Sequence, residues 1–294
     1  MRGLAATART WGEMIKFSHS VFALPFALLA TFLAARPARP TLTQLLLILV
    51  CMVAARSAAM TFNRLVDLRY DALNPRTIDR ALPAGRISRA AAWGFFGVAT
   101  AAFLLAAAGF WWLCDNGWPV LLAPVVLAWL CLYSYTKRFT RWSHFVLGSA
   151  LGAAPLAAWI AVAPSTLGWA TVWLVLAVVT WVGGFDIIYA CQDVAFDRAH
   201  GLHSLPARLG VAPALWLARA SHALSVVALI AVGLTARLGT LYFVGVSCGA
   251  ALLLIENALV WPHDLRRVNL AFFTINGVVG LVLGALGIAD VLLT

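Results

Sequence analysis

The chain has 294 residues, 63% of them hydrophobic and only 11% charged, with a mean hydropathy of +0.91. Soluble domains average about 25% charged residues. A water-soluble fold of this length could not hide so much apolar surface, so the expected solvent is the lipid bilayer. The net charge of +10 would point to nucleic acid on a soluble protein; here it fits basic loops at an anionic membrane surface and an anionic substrate.

The chain opens on MRGLAATARTWGEMIKFSHS, which lacks a small-residue cleavage site after an apolar core, so no removable signal peptide is expected. A membrane helix needs ~20 mostly apolar residues. Such runs lie at 18–36, 41–65, 90–113, 118–136, 143–163, 166–191, 213–235, 240–261 and 269–292. They predict an all-α integral membrane protein, a single membrane-embedded domain over 1–294 with nine spans. With a cytoplasmic N-terminus, the inner segments carry Arg2, Arg9, Lys16, Arg64, Arg69, Arg76, Arg80, Arg86 and Arg89. Further inner segments add Lys137, Arg138, Arg141, Arg198, Arg208, Arg266 and Arg267, whereas Arg36, Arg39 and Arg237 alone lie outside. This bias of basic loops places the protein in a bacterial-type inner membrane with its C-terminus outside. Cys51, Cys114, Cys131, Cys191 and Cys248 sit in or beside apolar runs with no CxxC spacing. They read as buried small hydrophobes, not as disulfides or zinc ligands.

The inner connection after the second span interrupts this greasy pattern with FNRLVDLRYDALNPRTIDRALPAGR, residues 62–86. Asn63, Asp67 and Asp71 are spaced i, i+4, i+8 and form one helical stripe. The sixth span ends in a second stripe, DIIYACQDVAFD. Its Asp186, Tyr189, Asp193 and Asp197 return to one helix face within about 20–60°. Carboxylates stacked this closely at a membrane boundary are costly unless they share counter-ions. Magnesium suits such a site, because it takes oxygen ligands from one or two carboxylates plus substrate phosphates. Neighbouring arginines would contact further phosphate oxygens.

These motifs resemble the UbiA superfamily of intramembrane prenyltransferases over essentially the whole chain. The NxxxDxxxD signature corresponds to Asn63, Asp67 and Asp71. It is followed by Asn74, Arg76, Thr77, Arg80, Leu82, Pro83 and Gly85, with Asp79 and Ala81 standing where many members have Asn and Pro. The DxxYxxxDxxxDxxxGxxS signature corresponds to Asp186, Tyr189, Asp193, Asp197, Gly201 and Ser204. YSYTKRFT, with Tyr133, Lys137 and Arg138, resembles the branch acting on 4-hydroxybenzoate; KFSHSVFALPFALL looks closer to a branch of futalosine-route menaquinone synthesis.

The resemblance implies nine helices around a central cavity, open to the cytoplasmic side and laterally to lipid. It implies a polyprenyl diphosphate donor, a small aromatic acid as acceptor, and Mg2+. No nucleic acid and no obligate protein partner are expected. One magnesium is assigned to Asn63, Asp67 and Asp71, the other to Asp186, Asp193 and Asp197; Asp67, Asp71, Asp193, Asp197 and Tyr189 form the catalytic set. Arg64, Arg76, Arg80 and Lys137 are assigned to the diphosphate, Arg138 and Arg56 to the acceptor carboxylate. His19, His144 and His222 lack metal-ligand spacing and read as interfacial or packing residues. Glu256 and Asn257 have no role at this level. Two alternatives remain open, another acceptor such as haem and a membrane transporter. The position of the acids at span ends, not mid-span, favours an enzyme.

Overall fold

The computed structural model describes residues 10–15 and 22–294. Among them the chain is helical and has no strand, only an isolated bridge between Trp261 and Asp264. After a short helical turn at 10–14 the helices are α1 Leu24–Ala35, α2 Leu42–Val66, α3 Leu68–Leu73, α4 Arg89–Cys114, α5 Trp118–Thr136 and α6 Ser143–Val162. They continue as α7 Trp169–Ala190, α8 Val194–Ala199, α9 Leu205–Leu209, α10 Val211–Thr235, α11 Thr240–Leu259, α12 Val268–Leu270 and α13 Asn276–Leu293. A π-turn, Ala271–Ile275, joins α12 to α13.

Among the described residues eight helical segments are long and apolar enough to cross a membrane, two of them Trp169–Ala199 and Val268–Leu293 taken as continuous pieces. They match eight of the nine predicted runs. The first run contains the apolar 12-residue α1, while residues 18–21 lie outside the described set, as do Arg2, Arg9, Lys16 and His19. All five cysteines are free.

Chain contacts divide the protein into two compact units. In the first, residues 46–135 with 10–15, α2, α4 and α5 meet through small side chains. Ala54, Phe103, Ala107 and Ala123 form a buried cluster, and the Leu47 side chain lies against Gly109 with no room for a Cβ. Helix–helix association in lipid relies on such close packing, not on a hydrophobic gain. A second cluster seats the 74–87 connection: Ala81, Leu82 and Ile87 pack on Met14 and Ala92. Ser88 then starts α4, its Oγ accepting the Ala91 N–H at 3.1 Å, which satisfies one of the donors that a helix start leaves open.

In the second unit, residues 22–45 with 136–294, α7 is the central helix and packs on α6 and α10. A Cβ at Gly148 of α6 would lie 2.4 Å from the Val179 carbonyl oxygen of α7, so only glycine permits this approach. Ser225 Oγ of α10 donates to the Ala177 carbonyl at 2.8 Å. Asp290 of α13 caps α11 from another helix: its carboxylate accepts the Gly239 and Tyr242 N–H groups at 2.6 and 3.3 Å. Between α11 and α12 the turn at 261–266 is closed by Arg266, which donates to both oxygens of Asp264 at 2.9 and 2.8 Å and holds that carboxyl well below its usual range.

Candidate active site

Both acidic motifs fall where a membrane helix is interrupted. In the first unit α2 ends at Val66 and α3 begins at Leu68; Asp67 sits between them at φ −88°, ψ 3°. The i→i−4 bonds Asp67 N–H to Asn63 O (2.9 Å) and Asp71 N–H to Asp67 O (2.8 Å) carry the axis through, so the stripe survives the break. Asn63 Nδ2 donates to Asp67 Oδ2 at 3.0 Å, as i, i+4 spacing requires.

Asp71 is the buried end of this stripe. Arg80 Nη1 donates to its Oδ1 at 2.6 Å, and Arg64 Nη1 lies 3.7 Å from its Oδ2. Oδ2 is buried and receives no hydrogen bond, an acceptor left open to a further ligand. Thr77 Oγ1 donates to the Asp71 carbonyl at 3.0 Å, and Asn74 Oδ1 accepts the Arg76 N–H at 2.9 Å. These two residues of the N-x-R-T pattern fold the connection back so that Arg80 reaches Asp71. The turn closes at Gly85, φ +70°, a left-handed position that glycine adopts without strain. Higher in α2, Arg56 Nε is buried without a hydrogen-bond partner, and Tyr133 is among its electrostatic neighbours.

The second cluster lies in the second unit. α7 passes through a 3-10 turn, Cys191–Asp193, into α8. Asp193 and Asp197 are buried, whereas Asp186 is partly open. Asp197 accepts Ser204 Oγ at 2.6 Å, and Lys137 Nζ lies 3.3 Å from its Oδ2. Gly201, at φ +67°, turns the chain back, and Leu202 N–H reaches the Asp197 carbonyl at 2.8 Å. Ser204 then does two jobs. It donates to Asp197, and it caps α9 by accepting the Ala207 N–H at 3.3 Å. The glycine and serine of the motif thus serve the carboxylate through backbone geometry.

Asp186 is held by a residue that sequence reasoning assigned to packing. His144 is fully buried; its Nε2 accepts the Leu205 N–H at 3.2 Å, which puts the ring proton on Nδ1, 2.6 Å from Asp186 Oδ2. The imidazole therefore donates to Asp186 and ties α6, α7 and α9 together. A titratable residue in the first turn of an apolar span was the available signal. Tyr189 stacks on Phe272, ring centroids 4.2 Å apart, and Phe272 packs in turn on Phe185 at 5.2 Å. Arg138 is half-buried beside Lys137. Within either unit no three His, Cys, Asp or Glu side chains form one compact metal-holding group among the described residues. Each cluster offers oxygen donors singly or in pairs, because His144, Ser204 and Lys137 draw the acids of the second stripe to separate partners.

Glu256, unassigned from sequence, is fully buried and bonded to Asn276, whose Nδ2 donates to its Oε1 at 2.7 Å. The same amide donates to the Ala271 and Phe272 carbonyls at 3.2 and 3.3 Å, and its Oδ1 accepts Trp181 Nε1 at 2.7 Å. Asn257 Nδ2 meets His222 Nδ1 at 2.8 Å. This network braces the π-turn that carries Phe272 to Tyr189.

A model of the UbiA prenyltransferase family matches residues 23–278. The chain belongs to that family. The 4-hydroxybenzoate octaprenyltransferase of Salmonella paratyphi B is 31% identical over 252 residues, 85% of this chain and 83% of that protein. The mitochondrial 4-hydroxybenzoate polyprenyltransferase of Aedes aegypti is 33% identical over 170 residues, 58% of this chain. A polyprenyl transferase of Arthrobotrys oligospora is 38% identical over 161 residues, 53% of this chain. The chain spans 37% and 42% of the lengths of the Aedes and Arthrobotrys relatives. The structure of a UbiA homolog from Aeropyrum pernix superposes with TM-score 0.82 at 33% identity, covering 92% of this chain and 98% of that one. A UbiA homolog from Archaeoglobus fulgidus, bound to DMAPP and Mg2+, shares the fold at TM-score 0.71 and 20% identity, over 97% of this chain and 100% of that one.

Proposed function

We propose that this protein transfers a polyprenyl group from a polyprenyl diphosphate to the ring of an aromatic acid, in the biosynthesis of a respiratory quinone. 4-Hydroxybenzoate, the acceptor in the names of the Salmonella and Aedes relatives, is the acceptor of choice, and ubiquinone the product. The observation that carries the reading is the pair of buried carboxylates, Asp71 and Asp197, each beyond a break in a membrane helix and each bonded to a basic side chain. Ionisable groups are kept in such a place for function.

The donor set fits magnesium. It consists of hard oxygens, and Asp71 Oδ2 is a buried acceptor with no hydrogen bond. Asn63, Asp67 and Asp71 would hold one ion, and Asp186, Asp193 and Asp197 the other, each completed by phosphate oxygens and water. When bound, the ions supply positive charge to the departing diphosphate. Arg64 and Arg80 give Asp71 only part of their donor capacity. The remaining N–H groups of these two guanidiniums would bind phosphate oxygens, and Arg76 and the Lys137 ammonium are assigned to the same diphosphate.

The allylic carbon–oxygen bond breaks with its electron pair leaving on the diphosphate. The carbocation is attacked by the ring carbon ortho to the acceptor hydroxyl, and loss of that carbon's proton restores aromaticity. Tyr189, backed by Phe272 and Phe185, offers an aromatic face that shields a cation from water. Arg138 and Arg56 are assigned to the acceptor carboxylate, since an unpaired anion in a dry site is costly; the open Nε of Arg56 supports that role.

The test is diphosphate release by purified protein given farnesyl or longer prenyl diphosphate and 4-hydroxybenzoate. Release is expected with Mg2+ and should stop with excess chelator. Turnover of a dihydroxynaphthoate in preference to the benzoate would redirect the product to menaquinone, and release indifferent to both acids would overturn the reading.

A further inference from the structure

The second unit carries a cleft of about 370 Å³ lined by Phe139, Thr140, Arg141, Trp142, His203 and Arg208, none of them a carboxylate. It forms between the α5–α6 turn and the segment that leads into α9, which His203 joins by donating its N–H to the Lys137 carbonyl at 2.7 Å.

The charges lining this cleft are oriented but not neutralised. Arg208 Nε donates to His203 Nδ1 at 3.1 Å. A ring nitrogen that accepts a hydrogen bond belongs to a neutral imidazole, so the bond fixes the guanidinium without cancelling its charge. Arg141 lies over the Trp142 ring, 5.3 Å from its centre, and that contact also leaves the full positive charge in place. No Asp or Glu lines the cleft, and neither arginine is ion-paired among the described residues.

The level of the cleft in the membrane follows from its neighbours. One span ends at Thr136 and the next begins at Ser143; between them Phe139 is 63% and Trp142 47% exposed. Exposed aromatic residues at span ends sit among lipid headgroups, and basic pockets at that level take phosphorylated headgroups.

We propose that this cleft binds the phosphate of an anionic phospholipid headgroup. Its ligand is a phosphodiester, held by Arg141 in a forked contact and by Nη1 of Arg208, whose Nε and Nη2 meet the His203 ring, with the glycerol backbone against Phe139 and Trp142. Inorganic phosphate and pyrophosphate share the anion but lack the acyl chains that would anchor them at this level.

Native mass spectrometry of the detergent-purified full chain, titrated with dioleoyl phosphatidylglycerol or dioleoyl phosphatidylcholine, tests the assignment. The wild type should retain the anionic lipid about tenfold more strongly than the zwitterionic one, the low end for losing a charged bidentate contact. Arg141→Gln/Arg208→Gln should abolish that preference while circular dichroism shows an unchanged helix content. Should the pair fail to fold, Arg208→Gln alone carries the same expectation. Equal retention of the two lipids, an unchanged preference in the variants, or displacement of the lipid by millimolar pyrophosphate would overturn the proposal.

Discussion

At the scale of single residues, the acids differ by what already holds them. Asp71 and Asp197 are buried and bonded to basic groups. Removing either carboxylate takes away a proposed ligand and leaves a partly buried basic side chain, Arg80 or Lys137, without its ion-pair partner. Asp71→Ala and Asp197→Ala should each abolish most turnover. If the two acidic clusters serve one diphosphate as proposed, their losses are non-additive, and Asp67→Ala/Asp193→Ala should be little worse than either single change; effects that multiplied would show two independent sites. His144 acts one step removed. Losing a group that orients a metal-binding carboxylate typically costs 10–100-fold in metal affinity or activity. His144→Ala should therefore raise the Mg2+ concentration for half-maximal rate by about that factor, at unchanged KM for the aromatic acid. A uniform loss of folded protein with normal Mg2+ dependence would leave His144 a packing residue. The ligand candidates could be read from spacing, because i, i+4 and i, i+7 repeats need no tertiary information. The His144–Asp186 bond joins positions 42 apart in the chain and is set by how α6 packs on α7, which spacing does not encode.

At the scale of elements, the breaks in α2 and after α7 were not visible in the hydropathy that places the spans. The apolar runs 41–65 and 166–191 end beside Asp67 and Cys191–Asp193, so hydropathy marks where each span stops but not that helix resumes beyond it as α3 and α8. Two helix-end devices make contrasting stability predictions. Asp290 supplies two backbone N–H groups at the start of α11 with acceptors. Asp290→Ala should cost on the order of 1–3 kcal/mol, seen as a fall of several degrees in the detergent unfolding midpoint, and Asp290→Asn should cost less. Asn276 satisfies Trp181, Glu256 and two π-turn carbonyls together. Asn276→Leu strands all of them and should lower the midpoint further than Asp290→Ala. A smaller effect would mean that the π-turn holds without its brace.

At the scale of the molecule, eight spans, their order and the acidic connections were legible because lipid enforces ~20-residue apolar runs. Of the first expected run, 18–36, the described residues show the apolar helix α1, Leu24–Ala35. The basic residues predict that the segments at 66–89 and 192–212 share the cytoplasmic side. In a cysteine-free background, single cysteines in both should react only with a membrane-permeant reagent, and labelling of either from the periplasm would invert the orientation. The π-turn at 271–275 bears on how related chains line up. Deleting a residue from an α-helix swings everything beyond it by about 100° and would turn lipid-facing side chains inward. A π-turn already holds one residue more than the α-helix on either side needs. The Ala271–Ile275 segment is thus the place in the last span where a sister chain can be one residue shorter and keep both flanks facing as they do. A single-position alignment gap belongs there and nowhere else in Val268–Leu293.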